Sequence, residues 1–303
     1  MPTNYKNVLP KKLISLAKNI SPLPVAIVSA DQYLVMESAQ LAYDLNLIDP
    51  IFIGNKIKII NEANSLNWDI SKFRIIDISD KVESANIGSE LAKNDEIKVI
   101  VKGNLHTDIL MKSYLKKEFN LLEGKRLSHI WHITRSENDK PIFITDGALN
   151  VLPRVDVKMH ILINAIEFAK KMNIIKPRVA VLSGTEDPIH SMPSSIEAKE
   201  VMDRAKKDNI DAFVHGPLGF DNAISKEAAK IKNIKNEVAG NADILLVPNL
   251  ETGNSLCKMM VFFVNACAAG IVVGGKAPVV VASRADNTLS RVASIAAAIV
   301  AAN

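Results

Sequence analysis

Two cysteines in 303 residues exclude a disulfide framework, and Cys257 and Cys267 have neither the CxxC spacing nor the nearby histidine pair of a zinc site. Both lie in apolar stretches and read as buried core thiols, which suits a reduced, cytoplasmic setting. Aromatic residues are scarce at 5%, whereas Ala, Val and Ile are abundant. That balance suits β-branched buried strands alternating with Ala-rich helices. Charge of one sign is also scarce. The net charge is +4, and the densest basic stretch, Lys226 to Lys235, is broken by Ala, Ile and Asn. It reads as a solvated helix face, so no nucleic-acid partner is expected, although a mild positive excess suits small anions. Long hydrophobic runs are missing as well. Met1 to Lys6 lacks the apolar centre of a signal peptide, and Met259 to Gly274 carries Asn265 and ends in glycines. Val292 to Ala302 is too short to cross about 30 Å of hydrocarbon. Both C-terminal stretches read as buried elements, with no membrane partner.

Familiar ligand motifs are absent too. No GxGxxG follows the first candidate strand, and there is no GxxxxGK[ST] and no GxSxG. The six histidines are dispersed, and His129 and His132 stand three apart without a carboxylate motif. Structural or surface roles suit them better than metal binding, so no metal site is expected.

What is present is a recurring alternation. Short apolar runs at Val25–Ser29, Ile51–Ile53, Lys98–Val101, Ile142–Thr145, Val179–Ser183, Ala212–Val214, Ile244–Val247, Ile271–Val273 and Val279–Ala282 read as strands covered on both faces. Helix-length segments separate them. Asp31 is placed to cap a helix through Leu34, Val35, Ala39, Ala42 and Leu45; Ile161 to Met172 and Ile196 to Lys206 are two more. The expected fold is α/β, with mostly parallel sheets in two domains flanking a cleft. The best internal boundary is the turn-rich segment Asp146 to Pro153.

Ligand groups in such sheets sit just beyond the carboxyl ends of strands. That rule selects Gly103 and His106, Asp146, Ser183 to Glu186, Gly216-Pro217, and Ser283 to Asp286. In the last segment Arg284 offers a planar donor array to a phosphate, Ser283 a hydrogen bond to developing negative charge, and Asp286 a proton acceptor. The same residues also fit a plain helix start, with Ser283 or Asp286 as cap and Arg284 as a surface charge. Asp146 fits a cap or a substrate contact, Glu186 a ligand contact or a loop brace, and Arg126 a second phosphate contact or a solvated charge. Gly103 suits close backbone approach better than chemistry.

From about Pro24 to the C-terminus, the chain resembles the phosphate acetyl/butyryl transferase family. The resemblance is carried by Ile48-Asp49-Pro50-Ile51-Phe52-Ile53-Gly54, Val101-Lys102-Gly103-Asn104-Leu105-His106-Thr107, Arg126-Leu127-Ser128-His129 and Thr145-Asp146-Gly147-Ala148-Leu149-Asn150. Gly216 to Ser225, Val238 to Pro248, Glu251-Thr252-Gly253-Asn254 and Ser283-Arg284-Ala285-Asp286 follow in order. It implies two three-layer α/β domains of the isocitrate/isopropylmalate dehydrogenase type, a homodimer, and reversible transfer of a short acyl group between coenzyme A and inorganic phosphate. Acyl-CoA, CoA, phosphate and acyl phosphate are then substrates, and no cofactor is needed. The first domain would comprise 1–148 with 284–303, and the second 149–283. Ser283, Arg284 and Asp286 become the catalytic candidates; Arg126, Gly103, His106, Ser183, Glu186 and Asn254 become the substrate-binding ones. In the acetyl branch the proposed base lies seven residues after the motif serine, which here is Ser290; the local pattern is that of the butyryl-type branch, and Asp286 takes the role. Acetyl transfer is the first expectation and butyryl transfer the second. A non-catalytic acyl-CoA or acyl-phosphate binding protein on the same fold is the alternative of a different class.

Overall fold

A computed structural model describes residues 8–282 and 286–303. From the N-terminus run α1 (Lys11–Lys18), β1 (Leu23–Val28), α2 (Tyr33–Asp44), β2 (Ile48–Gly54), α3 (Lys56–Ser65), β3 (Ile75–Asp77), α4 (Lys81–Lys93), β4 (Val99–Lys102) and α5 (Thr107–Tyr114). Then come β5 (Ser128–Thr134), β6 (Ile142–Thr145), α6 (Val155–Lys171), β7 (Arg178–Leu182), α7 (Pro193–Lys207), β8 (Phe213–Leu218), α8 (Phe220–Ile224), α9 (Lys226–Ile231), β9 (Ile244–Leu246) and α10 (Leu250–Val264). The chain closes with β10 (Cys267–Val273), β11 (Val279–Val280) and α11 (Thr288–Ala302).

Two compact units emerge. Within the described residues, the first comprises 8–125, 136–138 and the stretch from 267 onward; the second comprises 126–135 and 139–266. The expected boundary at 148/149 falls inside the second unit, and the one at 283/284 lies outside the described residues. Strand β6 pairs with β9, so the turn after β6 begins a crossover within one sheet.

In the first unit the strands lie in the order β3-β2-β1-β4-β11-β10, all parallel except β10 against β11. Every strand from β1 to β3 steps one way, and β4 then returns to the other side of β1. A right-handed crossover therefore puts α2 and α3 on one face and α4 on the other. The packing agrees, since α2 touches α3 and α11, whereas α4 touches α5, β1 and β4. Helix α11 lies against β10, α1 and α2 and is buried from Ser290 to Val300. Its small and β-branched side chains let three neighbours approach closely. In the second unit the order is β5-β6-β9-β7-β8, with β5 antiparallel to β6 and the others parallel.

Each of the nine expected strands is observed. Two others, β3 and β5, were not anticipated. Three local expectations need correction. Asp31 does not cap α2: the cap position is Gln32, without a side-chain bond, and Asp31 instead accepts from Lys81 Nζ at 3.0 Å. The stretch from Met259 to Gly274 is only partly buried. Strand β10 is buried throughout, but Met259, Phe262 and Phe263 at the end of α10 are exposed, the two phenylalanines by 66% and 72%. Helix α7 starts at Pro193, three residues ahead of the expected Ile196. Both cysteines are buried and free. Among the described residues no helix is long and apolar enough to cross a membrane.

Candidate active site

Parallel strands bring their carboxyl ends to one edge, and in the first unit that edge gathers the turns after β1, β4 and β11. The order of the strands reverses between β1 and β4, the place where an open α/β sheet leaves a crevice. Gly103 closes the two turns onto each other. Its N–H donates to Val28 O at 2.8 Å, the next N–H donates to Ser29 O at 2.8 Å, and a Cβ at Gly103 would stand 2.3 Å from Ser29 O. No side chain fits there, so Gly103 provides close approach. His106 follows at the start of α5, exposed and without a side-chain cap.

The register places β11 beside β4, with Val279 opposite Ile100 and Val280 opposite Val101. The chain therefore leaves β11 where Lys102 ends β4. Ser283 and Arg284 lie outside the described residues; the description resumes at half-buried Asp286. Asn287 then caps α11 by accepting from Ser290 N at 2.9 Å, and Thr288 donates to the Glu37 carboxylate of α2. The helix-start reading of this segment is thus met by Asn287, one residue beyond Asp286. Arg291 Nε donates to Asp286 O at 3.2 Å. Ser290, at the acetyl-branch base position, is buried with its Oγ 4.0 Å from Cys267 Sγ. Burial pushes the Cys267 thiol up to about 11, only partly offset by the Ser290 contact, so it stays protonated.

In the second unit the carboxyl edge carries Asp146 after β6, Ser183 and Glu186 after β7, and Asn254 in the second turn of α10 after β9. Exposed Arg126 precedes β5, and antiparallel pairing of β5 with β6 puts it at the same edge. Asp146 is 1% exposed, and its carboxylate is saturated. Oδ1 accepts from the N–H groups of Ala148 at 3.0 Å and Leu149 at 2.9 Å; Oδ2 accepts from His129 N at 2.9 Å and Asn150 Nδ2 at 2.7 Å. Asp146 is therefore the anchor of a turn. His129 beside it is buried, and that burial pushes its imidazole down to about 4 despite the nearby carboxylate, so the ring is neutral.

Gly147 lets this turn meet α10, since a Cβ there would lie 2.7 Å from Gly253 C, and Asn254 Nδ2 donates to Gly147 O at 3.4 Å. Asn249 caps that helix by accepting from Thr252 N at 2.9 Å. Ser183 Oγ shares a 3.0 Å hydrogen bond with Ser194 Oγ. Glu186 accepts from Lys232 Nζ at 3.0 and 3.1 Å, from Gly219 N at 3.3 Å, and from Asn222. Burial would raise its carboxyl, but these donors, Lys232 foremost, hold it below the usual range. The edge therefore brings Asp146, Asn254 and Arg126 into one loop cluster, with Ser183 and Glu186 on the turn after β7. The buried cations Lys102 and Arg291 in the first unit were not singled out from the sequence. A Lys at the end of an apolar strand and an Arg in a run of Ala, Val and Ser were the available signals.

Residues 80–300 match the family model described as phosphate acetyl/butaryl transferase. The chain belongs to this family. It is 39% identical over 287 residues to a phosphate acetyltransferase of Rickettsia felis, covering 93% of this chain and 81% of that one. It is 35% identical over 293 residues to a phosphate butyryltransferase of Clostridium beijerinckii, covering 96% and 97%. A crystal structure of a branched-chain phosphotransacylase from Enterococcus faecalis matches with a TM-score of 0.82 at 31% identity, covering 92% of this chain and 99% of that one. The resemblance carried by the ordered sequence landmarks is thereby borne out.

Proposed function

We propose that this phosphate acyltransferase moves an acetyl group reversibly between coenzyme A and inorganic phosphate. The observation that carries the reading is the 39% identity to a phosphate acetyltransferase across 93% of the chain. In the forward direction an oxygen of hydrogen phosphate attacks the thioester carbonyl, a C–O bond forms, and the C–S bond breaks to release CoA as its thiol. Arg284 holds the phosphate through its planar donors, and Ser283 hydrogen-bonds the carbonyl oxygen as it gains charge. Asp286 accepts the proton of the attacking phosphate and passes it to the departing sulfur; in reverse it removes the proton from the CoA thiol, whose ordinary pKa near 8.5 leaves it mostly protonated at neutral pH. Arg126, Gly103, His106, Ser183, Glu186 and Asn254 serve substrate binding at the two carboxyl edges, directly or by fixing the turns that do. No cofactor is required beyond the substrates.

Butyryl transfer is the second reading. Ser290 in place of the acetyl-branch carboxylate favours it, as does 35% identity to a phosphate butyryltransferase. Phosphate-dependent thiol release from acetyl-, propionyl- and butyryl-CoA separates the two. Fastest release from acetyl-CoA is expected; preference for butyryl-CoA transfers the assignment. No release from any of them by folded protein that binds CoA would instead identify a binding protein. Arg284→Ala should raise KM for phosphate by about 100-fold, some 3 kcal/mol, while CoA binding stays within about threefold. Equal loss of both would remove Arg284 from that role.

The chain is also proposed to act as a cytoplasmic homodimer. The exposed apolar end of α10, with Met259, Phe262 and Phe263, supports an association surface. Sedimentation of the protein and of Phe262→Glu tests it; a monomeric parent chain would contradict it.

A further inference from the structure

Beneath the carboxyl edge of the first unit lies a cavity of about 10 Å³, lined among others by Lys102, Arg291, Ser38, Ala282, Ile27 and Val280. Lys102 and Arg291 are each only 7% exposed. Burying a cation is costly, and similar-sized apolar side chains would pack the same place without that cost. What the cations touch suggests why they are there. Lys102 Nζ donates to Gly103 O at 3.3 Å and to Leu105 O at 3.0 Å, in the turn where Gly103 meets Ser29. Arg291, one turn into α11, donates Nε–H to Asp286 O. Each of the two cations therefore holds main chain that follows one of two adjacent strands. The cavity has room for about one water molecule and none for a phosphate or an acyl group. The two cations consequently act through the turns, without touching substrate.

We propose that Arg291 is a positioning residue for Asp286, and that Lys102 does the same for the Gly103–Leu105 turn. This rests on the reading of Asp286 as the group that exchanges a proton with the CoA sulfur. A main-chain clamp on Asp286 O sets where the carboxylate starts, and displacement by about 1 Å costs on the order of 100-fold in rate. Arginine suits the task because its fork holds a fixed direction, which a lysine ammonium does not.

The test compares the parent enzyme with Arg291→Met, Arg291→Lys and Lys102→Met, using phosphate-dependent thiol release and amide hydrogen exchange. Arg291→Met should lower kcat by about 100-fold with KM for acyl-CoA within about threefold. Arg291→Lys should recover about tenfold of that loss by restoring a cation without the fork. Exchange should quicken at residues 287–290 in Arg291→Met and at 103–105 in Lys102→Met, while β10 keeps its protection. The proposal is overturned if folded Arg291→Met keeps kcat within about threefold. It is equally overturned if Arg291→Lys matches Arg291→Met and both lose CoA binding in proportion to melting temperature, the mark of a purely structural residue. If the parent enzyme releases no thiol from any acyl-CoA, the functional reading fails. Exchange then decides the clamp alone: unchanged protection at 287–290 in Arg291→Met rejects it, and loss confined there upholds it.

Discussion

At the carboxyl edge of the first unit the buried charges are Lys102 and Arg291, which donate to main-chain carbonyls; at the same edge of the second unit they are Asp146 and half-buried Glu186, which collect N–H donors. The first arrangement fixes main chain with positive charge, at Gly103, Leu105 and Asp286. The second fixes turns with negative charge whose acceptor positions are occupied. A carboxylate with four donors has little capacity left for a ligand, and it is costly to remove because its three main-chain donors would be stranded. An acid residue after a parallel strand can thus be scaffold as readily as site, and the occupants of its lone pairs decide which.

The most severe test of this contrast is Asp146→Ala. It leaves the N–H groups of His129, Ala148 and Leu149 and the Asn150 amide without their acceptor, and should destabilise the protein by about 4 kcal/mol. Urea unfolding measures the loss. A change below about 1 kcal/mol would show that the turn does not depend on this carboxylate, and the distinction drawn between the two edges would collapse.

His129 sharpens the comparison through pH. Its imidazole titrates near 4 in the folded protein and near 6.5 when unfolded. The unfolded chain therefore binds the proton first, so the stability from neutral burial is complete above about pH 6.5. It is lost as pH falls from there to about 4, by roughly 3 kcal/mol in total. Comparing the pH dependence of unfolding with that of His129→Gln isolates the contribution, since other carboxylates titrate in both proteins. Parallel curves would mean that His129 reaches solvent.

Most of the fold was legible because its information is local. Continuous β-branched runs such as Val25–Val28 and Val99–Val101 announce strands covered on both faces, and their alternation with helices implies a parallel sheet. Strand β5 was hidden by its composition, Ser128-His129-Ile130-Trp131-His132-Ile133-Thr134. Two of its buried polar groups have partners from far along the chain: Asn164 Nδ2 reaches Ser128 Oγ at 2.9 Å, and Asp146 receives His129 N. Strand β3 was too short to register. The same division holds for the site. Placement after a strand end is visible in sequence, and it selected Gly103, Asp146, Ser183 and Asp286 as candidates. The saturation of Asp146 and the convergence of Lys102 with Arg291 are tertiary facts. They depend on β4 lying beside β11 and on α11 packing under both, which no spacing within the chain reveals.

The smallest expected effect concerns Glu186, where the sequence left a ligand contact and a loop brace open. Lys232, Gly219 and Asn222 converge on its carboxylate, but Lys232 is 47% exposed and Glu186 26% exposed, so solvent screens the ion pair. Glu186→Gln keeps a carbonyl for the Gly219 N–H and loses the charge. The cost should be about 1 kcal/mol or less in urea unfolding, and KM for acyl-CoA should stay within about twofold. A rise in KM of tenfold or more with stability intact would make Glu186 a ligand contact. The second unit would then place a charge where substrate meets it.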